Sequence, residues 1–114
     1  LEIIEMPAPR FIYHIVLTAD WLKQKDDETY FPSGFDDDGF IHCSRLEQLN
    51  ATIKRFYKTK KDKDLRVLRI DTTQLNVPLI YEAAEDGSGF FPHVFGRISA
   101  QAITEVIESP FKFP

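Results

Sequence analysis

Three histidines, at positions 14, 42 and 93, are the side chains of this sequence best suited to move a proton or hold a charged group near neutral pH. His42 lies in the run Asp38-Gly39-Phe40-Ile41-His42-Cys43-Ser44-Arg45-Leu46-Glu47. Gly39 supplies the positive φ that a tight turn asks for, and residues 40–43 read as a short strand. Ser44 and Glu47 read as a capping box, which starts a helix at Arg45. Strand alternation puts His42 and Ser44 on one face, with Ile41 and Cys43 on the other. An imidazole, a hydroxyl and the positive end of a helix then meet in one place, an arrangement suited to an anion. The plainer alternative is a helix cap beside a half-exposed histidine. Cys43, facing away from His42 on an apolar strand, is expected to be buried and slow to react.

The elements that position these groups follow from pattern. Residues 10–17 are β-branched and aromatic on both faces, which marks a buried strand. His14 shares a face there with Ile12 and Val16, so a core histidine with one satisfied hydrogen bond competes with a site histidine. Residues 18–25 read as a short helix capped by Thr18, with Trp21 and Leu22 inward. Residues 26–38 read as a loop with aromatic anchors and a solvated acidic turn, placed to act as a flap. The main helix spans 45–58, with Leu46, Leu49, Ile53, Phe56 and Tyr57 along one side. Lys58, Lys60 and Lys61 at its end suit the helix dipole. Strands follow at 65–71, 79–84, within 90–98 and at 102–108, separated by turns at 72–77 and 85–89. Gly96 signals a bulge or a close approach of backbone to a ligand. One main helix, one short helix and a strand-rich second half imply α+β with a mostly antiparallel sheet.

At 114 residues the chain is read as a single domain, 1–114, with residues 1–9 an extended N-terminal arm. It can bury roughly 65% of its unfolded surface, and ten Phe point to a ring-rich core. A net charge of −4 argues against broad nucleic-acid binding. One Cys excludes an internal disulfide and suits a reducing compartment. No apolar run reaches membrane-span length and no leader pattern opens the chain, so it is read as cytoplasmic, without a membrane partner. The sequence sets no oligomeric state.

Residues 12–15 (Ile-Tyr-His-Ile), Trp21, the run Asp38-Gly39-Phe40-Ile41-His42-Cys43-Ser44, Gln48, Tyr81-Glu82 and Phe91-Pro92-His93-Val94-Phe95-Gly96 together resemble the motifs of the domain of unknown function 952 family. The resemblance runs through nearly the whole chain, in order. Phe95 stands where that family more often has Tyr. What it implies is an ADP-ribosylation-like fold, similar to ADP-ribosyltransferases and to RNA 2′-phosphotransferases that consume NAD. His14 stands where such folds place a ribose-binding histidine on the first strand. The transferases' His-Gly-Thr is absent, since Ile15-Val16 follows His14, and Glu82 is the nearest candidate for their catalytic glutamate.

The resemblance gives a candidate site with His14, His42, Glu82 and His93 as the reacting groups. His14 would hold the ribose hydroxyls, and Glu82 would stabilise positive charge developing on the ribose. His42, Ser44 and Arg45 or Arg97 would hold phosphates, while Tyr30, Phe91 or Phe95 would stack on nicotinamide. NAD is the implied co-substrate, and the implied partner is a small nucleotide or phosphorylated ligand. Two further readings use the same residues: a nucleotide or anion binding module without turnover, and a metal site of three imidazoles. The histidine spacing fits a sheet pocket better than a ligand cage, so no metal is expected.

Overall fold

The computed structural model describes residues 8–108. In chain order the elements are β1 (Phe11–Leu17), α1 (Thr18–Gln24), β2 (Thr29–Tyr30), α2 (Phe35–Asp38), β3 (Ile41–His42), α3 (Leu46–Phe56), β4 (Leu65–Asp71), β5 (Leu79–Ala83), β6 (Phe90–Val94), β7 (Ile98–Ser99) and β8 (Ile103–Ile107). The β1, β4 and β8 strands form one sheet in the order β1-β4-β8, and a second runs β3-β6-β5. A small ribbon pairs β2 with β7. Every pairing is antiparallel, so the chain is α+β as its pattern implies. The extended arm expected for residues 1–9 falls mostly outside the described residues. None of the described helices is long and apolar enough to cross a membrane.

Burial explains the pairing. Ile12, Leu65, Val67, Leu68 and Ile70 are fully enclosed, each worth roughly 1.5–3 kcal/mol relative to exposure. α3 lays Leu49 and Ile53 on Tyr13, Leu65 and Val67 to make one core cluster. The other joins Ile12, Val16, Trp21, Tyr30, Ile41, Cys43, Leu68 and Ile98. At the foot of the first sheet, Arg10 holds Asp71 through Nε and Nη2 at 3.2 and 2.9 Å. Thr73 adds its backbone N–H and hydroxyl to the same carboxylate. The Arg10 bonds, then those from Thr73, keep the Asp71 carboxyl well below the usual range.

Besides the shared core, a backbone bridge joins the two large sheets as a seam. Tyr13 N–H donates to Ser44 O at 2.8 Å and Ser44 N–H to Tyr13 O at 2.7 Å, an isolated bridge that extends β3 along the free edge of β1. One residue earlier, Cys43 N–H donates to Pro92 O at 3.1 Å. Residues 43 and 44 therefore carry the second sheet on the first.

Local expectations fail where a helix begins or where one face runs out. α3 starts at Leu46, not Arg45, and its box is closed by Gln48, whose Oε1 accepts Arg45 N–H at 2.9 Å. Ser44 is unavailable as the cap because its backbone is spent in the bridge to Tyr13. Leu17 rather than Thr18 precedes α1, and the Thr18 hydroxyl donates to Lys63 O. Leu22, Leu46 and Phe56 are exposed, so only Trp21, Leu49 and Ile53 of the expected apolar faces are buried. The expected flap holds two short elements, β2 and the one-turn α2, with Gly39 at φ 79° closing the latter.

Gly96 marks a close approach of backbone, as expected, but the neighbour is Val77. A Cβ at position 96 would overlap the Val77 side chain. Gly96→Ala should cost about 1–3 kcal/mol in denaturant unfolding, the usual range for overpacking. Val77→Ala in the same chain should recover part of it. An unchanged midpoint in Gly96→Ala would show that the segment gives way freely.

Candidate functional site

The second sheet builds the site by register. His42 pairs with His93, and His93 with Ile80, so three side chains stand in a row on one face. Glu82, two residues beyond Ile80 on β5, lies on the same face. The His93 Nδ1–H donates to Glu82 Oε1 at 2.7 Å. His42 Nε2 lies 3.3 Å from Asp38 Oδ2, the last residue of α2. Phe40 stacks on the His93 ring at 4.2 Å and tilts against His42 at 4.6 Å. The two imidazoles meet edge to face at 5.2 Å. The result is two imidazole–carboxylate pairs braced by one phenyl ring, each with its second ring nitrogen left for a ligand.

This face borders a cleft of about 1180 Å³. α3 lines it with Gln48, Thr52 and Arg55, while the turn between β5 and β6 contributes Glu85, Asp86 and Ser88. Phe91, His42, His93 and Glu82 also face it. Carboxylates dominate the charge, since Asp20, Asp38, Glu47, Glu82, Glu85 and Asp86 line the cleft against one guanidinium, Arg55. An imidazole oriented by a carboxylate is the arrangement general acid–base catalysis requires.

The expected reacting groups His14, His42, Glu82 and His93 all border the cleft, but the His14 ring is held apart from the other three by its own hydrogen bonds. The His14 ring is buried beneath the seam. Its Nδ1 faces His42 O at 2.7 Å and its Nε2 faces the Tyr30 hydroxyl at 2.8 Å. A carbonyl can only accept, so Nδ1 carries the proton and Nε2 accepts from Tyr30. Burial lowers the His14 pKa to about 4, with the bond to His42 acting weakly the other way. A neutral ring with both nitrogens committed cannot bind a ribose. It cannot form a three-histidine metal site with His42 and His93 either. Among the described residues, no group of three or more His, Cys, Asp or Glu is placed to hold a metal ion.

The stacking and phosphate residues divide similarly. Phe91 lines the cleft, but Tyr30 is buried against His14 and Trp21 and cannot stack on a ligand. Phe95 packs on Phe40 at 5.2 Å, outside the lining, and Arg97 lies over Phe31 at 4.3 Å, away from the site. Ser44 lies in the wall, its backbone used by the seam. Arg45 also lies outside the lining, with Nη1 on Glu47 Oε1 at 3.2 Å. The helix start thus carries an acid, Glu47, beside its arginine. Cys43 is enclosed, and burial pushes its thiol far up, so it is no nucleophile.

Three contributors lay outside the expected set: Asp38, Phe40 and Arg55. Phe40 and Asp38 stand two and four residues before His42, so strand alternation from His42 was the available signal for Phe40. Arg55 stands two turns along α3 from Gln48, on a face that the periodicity marks only as polar.

Residues 15–106 match the family described as "Protein of unknown function (DUF952)". The chain belongs to this family. The DUF952 fold seen here is similar to the crystal structure of protein CC0527 from Caulobacter crescentus. That likeness has a TM-score of 0.72 at 27% identity, over 84% of this chain and 82% of that one. The solution NMR structure of CC0527 gives 0.72 at 26% identity, over 88% and 84%. No curated protein matches the chain.

The buried His14 of this DUF952 chain should make stability depend on pH. The unfolded ring takes a proton near 6.5 and the folded one only near 4, so the unfolded state binds more protons between these values. Stability should therefore fall as pH drops from 6.5 to 4, by up to about 3 kcal/mol. His14→Gln keeps polar atoms but cannot titrate, and should lose that slope while melting lower at pH 7. Equal slopes in the two proteins would place the proton uptake elsewhere.

Proposed function

We propose that this chain is an ADP-ribosylation-like enzyme acting on the nicotinamide ribose of NAD or on ADP-ribose, with Glu82 and His93 as its catalytic pair. The observation that carries the reading is the 2.7 Å contact between the Glu82 carboxylate and the His93 ring on the wall of the cleft. The α+β architecture with antiparallel sheets is compatible with that reading. As a nicotinamide leaves, the C1′–N bond breaks and its electron pair goes to the ring, which departs neutral. Positive charge develops on the ribose, and Glu82 is the carboxylate available to stabilise it. The acceptor oxygen, from water or a hydroxyl, forms the new C1′–O bond and gives its proton to an imidazole of His93 or His42. Asp38 orients His42, and Phe40 and Phe91 offer faces for a planar ring. His14 acts through the fold, holding the carbonyl of His42.

A carboxylate-rich lining fits this chemistry better than a module built for anions. It favours a cationic pyridinium and a developing ribosyl cation, and it repels free phosphate. The fit to NAD is therefore good at the nicotinamide ribose. At the pyrophosphate it rests on Arg55 alone. The module without turnover becomes an outcome of the test.

Nicotinamide released from NAD and the shift in melting temperature on adding NAD or ADP-ribose should be measured together. Both ligands should raise the melting temperature, as any ligand selective for the native state must. Glu82→Gln should slow release by about 100-fold or more, the scale for losing one preorganised electrostatic group, with the melting shift retained. Stabilisation without release in the parent would make the chain a binding module. No stabilisation and no release would end the nucleotide reading.

A further inference from the structure

Arg55 is the one Arg or Lys among the described residues of the cleft wall, and its guanidinium is already ion-paired. Its Nη1 is paired with the Asp86 carboxylate, which reaches over from the turn joining β5 to β6. That turn is a separate piece of chain. It leaves β5 after Ala83, returns at Phe90, and contains Gly87 and Gly89 at φ 78° and 121°. Neither glycine has a heavy atom within contact of the space a Cβ would fill. Asp86 also accepts Ser88 N–H at 2.9 Å, so its carboxylate is held within the turn. The turn is anchored at its root by Ala84 N–H to Gly89 O at 2.8 Å, and just beyond by Gln48 Nε2 to Phe90 O at 2.8 Å. Between those anchors, the Arg55–Asp86 pair is the tie that spans from turn to helix. Both side chains are partly open to solvent, where an ion pair holds only weakly and exchanges partners readily.

We propose that Arg55 is the phosphate-binding residue of the cleft, and that Asp86 masks it in the resting protein. An incoming phosphate group takes the guanidinium from Asp86 and frees the turn at residues 84–89 as it binds. Arg suits the exchange because its planar fork accepts a carboxylate or a phosphate in the same geometry. With five other carboxylates along the wall, an unmasked Arg55 is the place where a phosphate meets net attraction. The mask makes the cleft selective. An anion binds only if it outcompetes a carboxylate already in place, which a polyphosphate does better than a single weak charge. The inference rests on the nucleotide reading for its biological ligand, but its chemistry is independent of turnover.

The test uses inorganic pyrophosphate as the probe, with affinity from calorimetry and amide hydrogen exchange followed across residues 84–89. Asp86→Asn should bind pyrophosphate about tenfold more tightly than the parent, since a competing charge is gone. Arg55→Gln should lose the binding, and the double variant should behave as Arg55→Gln does. Exchange across 84–89 should rise in both single variants, and in the parent on adding pyrophosphate. Parent-like affinity in Asp86→Asn, or retained binding in Arg55→Gln, would overturn the proposal. Faster exchange in the variants with unchanged affinity would also overturn it, leaving the pair a structural latch. Nicotinamide release plays no part in these measurements, so failure of the NAD reading and failure of this one are told apart.

Discussion

The bond between the His14 ring and the main-chain carbonyl of His42 is the contact on which the rest of the arrangement depends. It joins β1 to β3, the two strands that carry the two sheets, and its other nitrogen takes the Tyr30 hydroxyl from β2. Three pieces of chain distant in sequence are thereby fixed by one small ring. The backbone bridge between Tyr13 and Ser44 lies next to it and sets the register. The His42 side chain lines the cleft while its carbonyl is held by His14. The ring works in this place only while neutral. A charged imidazole without a carboxylate partner would be costly in an enclosed site. Tyr30 is likewise kept protonated by burial, which pushes its hydroxyl far up and leaves it a donor to Nε2.

The two imidazole–carboxylate pairs on the cleft face are unequal. The His93 and Glu82 side chains are 14% and 45% exposed, and their contact is 2.7 Å. Those of His42 and Asp38 are 63% and 51% exposed, at 3.3 Å. Water screens the second pair far more, so the first has the stronger interaction and the better-defined geometry. A reacting group needs a fixed position more than it needs exposure. By that measure Glu82 and His93 are the better-positioned pair. Phe40 is what lets the two rings share a face, since it fills the space between them with an apolar plate.

Much of the framework was legible in the sequence. Strands at β1, β4, β5 and β8 fall within a residue or so of their expected bounds, because long apolar or alternating runs leave few other options. The opposite facing of Tyr81 and Glu82, and the burial of Cys43, follow from alternation alone. The helix start was not legible. Ser44 with Glu47 has the composition of a capping box, yet the backbone of Ser44 is claimed by Tyr13, thirty-one residues earlier. A long-range bridge overrode a local signal, and Gln48 closed the cap instead. The flap at 26–38 hid β2 for a similar reason, since its pairing with Ile98 and Ser99 carries the order that its own sequence does not. Arg55 and Asp86 were invisible as a pair because nothing in either neighbourhood names the other.

His14 sits on the first strand, where its pattern placed it, and the fold gives the ring a structural bond there. With Ser44 bridged to Tyr13, the carbonyl of His42 lies within hydrogen-bond distance of the ring. A ligand in the cleft would have to displace one of the two His14 bonds to use this imidazole. The nearest imidazoles a ligand can reach are then His42 and His93, one layer further out along the same β3–β6 pairing. An imidazole held beside a carboxylate is therefore found on the cleft face of the second sheet, where His93 meets Glu82.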